Sequence, residues 1–457
     1  MNDRNTAEQE RLDRRSAVKK IVGAAIGGAV IGSLGVAAYY GSQPTSGVVR
    51  TTSGTPLGKP LKVGITGPMT GTAALSGQNL HNGVLLAYED LKAAGFYPMM
   101  IDGELRDVEF VDVDSTDPEA GRRAFESAID IEGVDLFTVG WYSSVALSQI
   151  EVMADRKKVW VGSFAITTQL NDTINSNPER YKYYFKGWPP FSVYYRLIGD
   201  AFEQLIKEGK LKPRNRRYAV VGEESDYSRE FVATVADSLN RLGFEQVSVD
   251  YVPVGATEYT SILTKIVGLD AGMVCYLASG QSMFKSFLDQ TREFQSRLKA
   301  LVLLDGVTWF GDPYQTVGDA VEYVISMDTP LISTTRQRSW VDRYKAKFQS
   351  EPSPASAGFA YDQFTHLTLA LRQAQTTDPD QLVRALEQTR VAPGMMNRMV
   401  QTSIEAAPGK AISMHDFVVD PWLGFALPMT QFRDGRGWVV WPPAAKERDF
   451  EQPPWLG

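Results

Sequence analysis

Residues 136–170 read LFTVGWYSSVALSQIEVMADRKKVWVGSFAITTQL. Two short apolar runs, 136–139 and 159–162, flank a stretch with helical spacing, so the segment reads as strand, turn, helix, strand and turn. Small hydroxyl residues follow both strands: Ser143 and Ser144 after the first, Ser163, Thr167 and Thr168 after the second. In an open parallel sheet the carboxyl ends of strands are where ligands sit. Hydroxyls and backbone amides gathered there hold a carboxylate or an amide without any catalytic group.

The same alternation extends in both directions. A strand is predicted over 61–66, and a helix over 77–94 has Leu80, Val84, Leu85, Ala87, Tyr88 and Leu91 along one apolar face. A strand over 105–112, a helix over 118–131 and a strand over 183–186 complete a first series. The pattern then restarts with a helix over 192–207 and strands over 217–221, 246–251, 273–277 and 300–304. Helices over 228–242, 259–267 and 282–294 separate those strands. Two successive series of this kind predict an α/β protein of two doubly wound, Rossmann-like lobes. A cleft between them is the default binding site.

Length supports two lobes, since 457 residues exceed what one ordinary core organises. The charged fraction of 22% with no basic patch argues against nucleic acid as a partner. A single cysteine, Cys275, lies in the apolar run GMVCYLA and reads as a small buried strand residue. His81, His366 and His415 are scattered, so neither a disulfide framework nor a metal site is expected, and no cofactor is expected either. The glycine-rich Gly64-Ile-Thr-Gly67-Pro-Met-Thr-Gly71 fits neither a dinucleotide fingerprint nor a P-loop, and no G-x-S-x-G elbow occurs.

The first residues read as an address. Asp13-Arg14-Arg15-Ser16-Ala17-Val18-Lys19 resembles a twin-arginine export motif with Ala17 where Phe is usual, and a mostly apolar run follows over 21–40. That run is long enough to span a bilayer, and Val36-Ala37-Ala38 fits a cleavage site, so residues 1–41 read equally as a signal or a membrane anchor. Loss of the first 38 residues would remove six cations and four anions and move the net charge from −7 to −9. Residues 42–59, rich in Ser, Thr, Gly and Pro, read as a tether. The bulk of the chain is thus expected outside the cytoplasm, periplasmic or at the cell surface.

Three motifs carry a family resemblance: the opening GITGPMTGTAALSGQNLHNGVLLAYEDL, the late Gly358-Phe-Ala-Tyr361-Asp362, and the ending MTQFRDGRGWVVWP. In order and spacing they resemble the type I periplasmic binding proteins of the branched-chain amino acid, amide and urea group, the leucine-binding-protein-like receptors of ABC importers. The resemblance runs from Leu61 to Trp441. It implies lobes joined by a three-segment hinge, with 60–187 plus 329–424 in lobe 1 and 188–328 plus 425–457 in lobe 2. The crossovers would fall near 186–190, 326–330 and 423–428. It also implies a small-molecule ligand, permease subunits in the membrane as partners, and no enzymatic role.

Carried over by position, the resemblance places Ser144, Ala165 and Thr167 on the ligand's carboxylate and part of its ammonium. Asp305 stands where the family has a longer Glu for the ammonium, and Tyr227 is the matching loop tyrosine. Helix capping by Asp305, or plain packing by Tyr227, accounts for those two residues as well. Ser76, Trp141, Tyr142, Ser143, Ser279 and Phe359 are candidates for the side-chain pocket. Trp141 and Tyr142 replace smaller apolar residues while Ser143 and Ser279 bring hydroxyls, which points from leucine toward a small polar amino acid, an amide or urea. Two other functions fit the same chain: a sensory receptor of this fold, and a hydrolase of small amides with Asp305 as its base.

Overall fold

The computed structural model describes residues 57–194, 196–327, 332, 334–396, 400–407, 411–418, 428–443 and 445–456. The leader, the apolar run over 21–40 and the tether up to residue 56 lie outside them, as do 328–330 and 423–427 of the expected crossovers. No helix among the described residues is long and apolar enough to cross a membrane.

The first lobe is built on five parallel strands: β1 (Leu61–Gly67), β4 (Val108–Asp114), β5 (Leu136–Thr138), β6 (Trp160–Ser163) and β7 (Tyr184–Lys186). Their spatial order is β4-β1-β5-β6-β7. The strands pair in register, with Val63 beside Leu136 and Phe137 beside Trp160. Strands β1, β5, β6 and β7 are largely buried, which suits their mostly apolar sequences, whereas the edge strand β4 alternates Val and Phe with acidic residues and is mostly not buried. Between β1 and β4 the chain inserts a small hairpin, β2 (Met99–Ile101) with β3 (Glu104–Arg106). The single strand expected over 105–112 is therefore two strands, broken where the hairpin hands over to the sheet. Asp102 and Gly103 form its turn with φ of 52° and 80°, the left-handed pair that a tight hairpin needs.

Helices α1 (Ala74–Ala93), α2 (Pro118–Asp130), α3 (Ser143–Asp155) and α4 (Thr168–Ser176) serve this sheet, and α5 (Arg196–Lys207) opens the second series. The start of α2 follows from local chemistry. Asp117 accepts from the amides of Glu119 and Ala120 at 3.0 and 2.9 Å, and Pro118 occupies the first turn where no N–H is needed.

The second lobe repeats the order. Strands β8 (Arg217–Glu223), β9 (Glu245–Val252), β10 (Met273–Leu277), β11 (Leu301–Asp305) and β12 (Ile325–Ser326) run parallel as β9-β8-β10-β11-β12. Helices α6 (Asp226–Asn240), α7 (Thr260–Gly268) and α8 (Gln281–Leu298) lie between them in sequence. Stacked rings of Tyr276 and Phe287, 3.9 Å apart, tie β10 to α8. Cys275 is fully buried in β10, and burial pushes its thiol pKa up.

After β12 the chain returns to the first lobe as α9 (Thr335–Phe348), α10 (Phe359–Ala374) and α11 (Pro379–Gln388). The Tyr361 hydroxyl, on α10, donates to Asp90 of α1 at 2.7 Å. At Gly162, with φ of 85°, a Cβ would sit 2.6 Å from the Cβ of Gln363, so β6 and α10 meet at a distance only glycine allows. Finally β13 (Met429–Arg433) and β14 (Arg436–Trp441) add two antiparallel strands to the second sheet beyond β12. The chain thus passes between the lobes three times.

Candidate binding site between the lobes

Each lobe ends its strands toward one cavity of about 460 Å³. From the first lobe come Thr72 beyond β1, Thr116 and Asp117 beyond β4, residues 141–144 beyond β5, and Phe164 and Ile166 beyond β6. From the second come residues 223–227 at the end of β8, Val254 beyond β9, Ser279 beyond β10 and Trp309 beyond β11. Eight strand ends converge, the place where open α/β sheets hold ligands. Trp188, on the first crossover, closes one side.

The loop after β5 is built under constraint. Val139 has φ of 55°, a conformation that costs a β-branched residue on the order of 1–3 kcal/mol. It is held by its amide, which donates to the Val161 carbonyl at 2.9 Å, and by the Trp160 indole, which donates to its carbonyl. The chain then turns so that Trp141 and Tyr142 reach the cavity and α3 begins at Ser143. No side chain caps that helix, which leaves its first amides near the wall. The Ser143 hydroxyl instead accepts from the amides of Ile166 and Thr167 at 3.3 and 3.4 Å, joining the loops after β5 and β6.

Of the residues singled out in the sequence, Ser144, Trp141, Tyr142, Ser143, Tyr227 and Ser279 line the cavity. Ala165, Thr167, Asp305, Ser76 and Phe359 do not contribute to its wall. Ala165 is fully buried, and its amide faces the Ser163 hydroxyl at 3.4 Å. Thr167 caps α4, its hydroxyl accepting from the Gln169 amide. Ser76 is buried in the first turn of α1 with its hydroxyl unbonded. Phe359 stands one layer behind the wall, its ring 4.7 Å from that of Trp188. Asp305 is buried and accepts from the Tyr227 hydroxyl at 2.6 Å, a bond that holds Tyr227 in place.

Sequence reasoning missed Phe164, Trp188, Trp309 and the carboxylate of Glu223, all of which line the cavity. Rings form a run across the cleft: Trp141 of the first lobe lies 5.4 Å, edge to face, from Trp309 of the second, and Trp309 lies 5.8 Å from Tyr227. Glu223 is 2% exposed, and its carboxylate accepts from the Ser279 amide at 2.8 Å, from the Ser279 hydroxyl and from Ser225. Burial raises the pKa of Tyr142, a hydrogen bond with Thr72 opposes that, and the charge of Glu223 adds to it. Tyr142 is therefore a neutral hydrogen-bonding phenol at physiological pH. Among the described residues no group of three His, Cys, Asp or Glu side chains could hold a metal ion.

Residues 60–411 match the family described as periplasmic binding protein. The chain belongs to that family. This binding protein is 24% identical over 349 residues to the Leu/Ile/Val-binding protein homolog 8 of Brucella abortus, covering 73% of this chain and 81% of the relative. Among solved structures it is similar to a putative branched-chain amino acid ABC transporter protein from Silicibacter pomeroyi. There the TM-score is 0.70 at 18% identity, with 87% of this chain and all of the other covered. A solute-binding protein from R. palustris in complex with benzoate gives 0.65 at 17% identity, covering 83% of this chain and 95% of that one. An isoleucine-bound transporter substrate-binding protein from Streptococcus pneumoniae gives 0.64 at 18%, covering 83% and 98%. At these identities the structural likeness establishes the type I binding-protein fold.

Proposed function

We propose that this binding protein captures one small organic solute between its lobes outside the cytoplasm and delivers it to the permease of an ABC importer. The observation that supports the reading is the cavity itself, walled by both lobes at the carboxyl ends of eight strands. A ligand bound to one lobe recruits contacts from the other and shifts the population toward closure. The closed form is then the one a permease recognises. Export through the leader, by cleavage or as a membrane anchor, belongs to the same proposal.

The solute is nitrogen-bearing: an amino acid, an amide or urea. Glu223 and Ser144 supply an acceptor and a hydroxyl that an N–H-rich ligand satisfies, and leaving them without a ligand partner would disfavour a purely apolar one. The cavity volume of about 460 Å³ favours the larger members over urea, which would leave most of it to water. A second reading is an aromatic acid, because the R. palustris neighbour holds benzoate and the wall here is rich in rings.

A thermal-shift screen of amino acids, amides, urea and aromatic acids tests the proposal. A solute at 100 times its dissociation constant stabilises the protein by about 2.7 kcal/mol. Stabilisation by one class, with compaction seen by small-angle scattering, supports capture. Turnover of an amide by the purified protein, lost in Asp305→Asn, would replace the binding reading with a hydrolase.

A further inference from the structure

Glu223 ends β8 and forms part of the cavity wall while almost wholly buried. Its hydrogen bonds come from Ser279 and Ser225 alone, both in its own lobe, and no cation among the described residues pairs with it. A carboxylate has about four acceptor positions, of which three are used. Buried charges are as a rule paired. Glu223 therefore lacks a partner that the cavity is placed to supply.

The other charged groups of the wall are mostly of the same sign. Asp117, Glu224 and Asp226 also line the cavity, against the single guanidinium of Arg229, which lies over the ring of Tyr251 at 4.8 Å. The remaining surface combines hydroxyls with aromatic rings, of which Trp141, Trp309 and Tyr227 are in ring contact across the cleft. The faces of such rings attract cations. An anionic group entering here meets repulsion from the carboxylates, whereas a cation gains from carboxylates and rings together.

We propose that the cavity takes a protonated amine with an apolar body, its ammonium paired to Glu223 and its body against the rings of Trp141 and Trp309. The inference rests on reading the cavity as the solute site and fixes the charge of the solute. Recognition centres on the nitrogen end, so within the nitrogen-bearing class of the proposed function an amine ranks above an amino acid, whose α-carboxylate is a burden here.

Calorimetric titration at pH 7 with three matched probes tests this: phenethylamine, phenylalanine and 3-phenylpropionate. The expected order is amine tightest, amino acid at least tenfold weaker, and acid weakest. Glu223→Gln should lower the amine affinity tenfold or more and narrow its margin over the acid. The ranking in the unmodified protein stands alone should that variant fold poorly. An amino acid or acid bound as tightly as the amine, or no binding by any of the three, overturns the proposal. Failure of solute capture itself reads differently, as a protein that no class of solute stabilises in the wider screen.

Discussion

Glu230 on α6 of the second lobe grips Thr168 at the start of α4 in the first. Its two carboxylate oxygens accept from the Thr168 amide at 2.9 and 2.8 Å, and the Thr168 hydroxyl donates to it as well. The contact crosses the cleft and sets a negative charge on a helix N-terminus, a placement that contributes about 0.3–1 kcal/mol when exposed and up to about 2 when partly buried. Glu230→Gln should therefore reduce the closed population and weaken solute affinity by roughly two- to thirtyfold, since 1.4 kcal/mol corresponds to a factor of ten. Small-angle scattering should show a larger radius of gyration in the variant. An unchanged radius and affinity would mean that the latch has no part in closure.

A buried pair secures the segment over 411–418 to the first lobe. Lys186 and Asp416 are fully buried with 3.4 Å between their charged atoms, and Asn171 bonds to both. Burial lowers the Lys186 pKa, and Asp416 pushes against that shift. Lys186→Met removes the cation and leaves a buried carboxylate, which should cost about 3–5 kcal/mol. Urea denaturation checks this, and a loss under 1 kcal/mol would show the pair to be dispensable.

His366 on α10 makes stability depend on pH. Burial lowers its pKa from 6.5 to about 4, partly offset by the carbonyls of Leu386 and Thr389, to which Nε2 must donate. Between those values the unfolded chain binds a proton that the folded one refuses, so stability is complete above pH 6.5 and falls as pH drops toward 4. The loss attributable to this group is on the order of 3 kcal/mol. His366→Gln should flatten the slope of unfolding free energy between pH 6.5 and 4.5, whereas a slope equal to that of the unmodified protein would assign it to other groups.

Cys275 offers a probe of global opening. Its thiol is buried in β10 and its pKa is raised by that burial, so little thiolate exists to react. Labelling by a thiol reagent at pH 8 should proceed at the unfolding rate and slow further when solute is bound. Fast labelling of the folded protein would contradict the placement of β10.

The alternation of strands and helices was legible because it depends on local pattern. Residues 273–277 coincide with β10, and 118–131 with α2 to within one residue. The hairpin of β2 and β3 was missed although Asp102-Gly103 is the signal that announces one; three-residue strands carry too little alternation to be read. In the site, the loop after β5 was legible from its hydroxyls and rings. Glu223 was not, because the apolar run suggests an end at Val221 while the strand continues two residues further, to a buried carboxylate bonded by Ser279 from the loop beyond β10. Trp188 and Trp309 likewise acquire a role only when a crossover and a turn of the other lobe are brought to the same cavity.

The account claims above all that one solute is held by both lobes at once. Titration of the solute that gives the largest thermal shift, against Trp141→Ala in the first lobe and Trp309→Ala in the second, measures this most directly. Each substitution should weaken binding tenfold or more while the fold persists by circular dichroism. Unchanged affinity in either variant would place the solute on a single lobe and contradict the account.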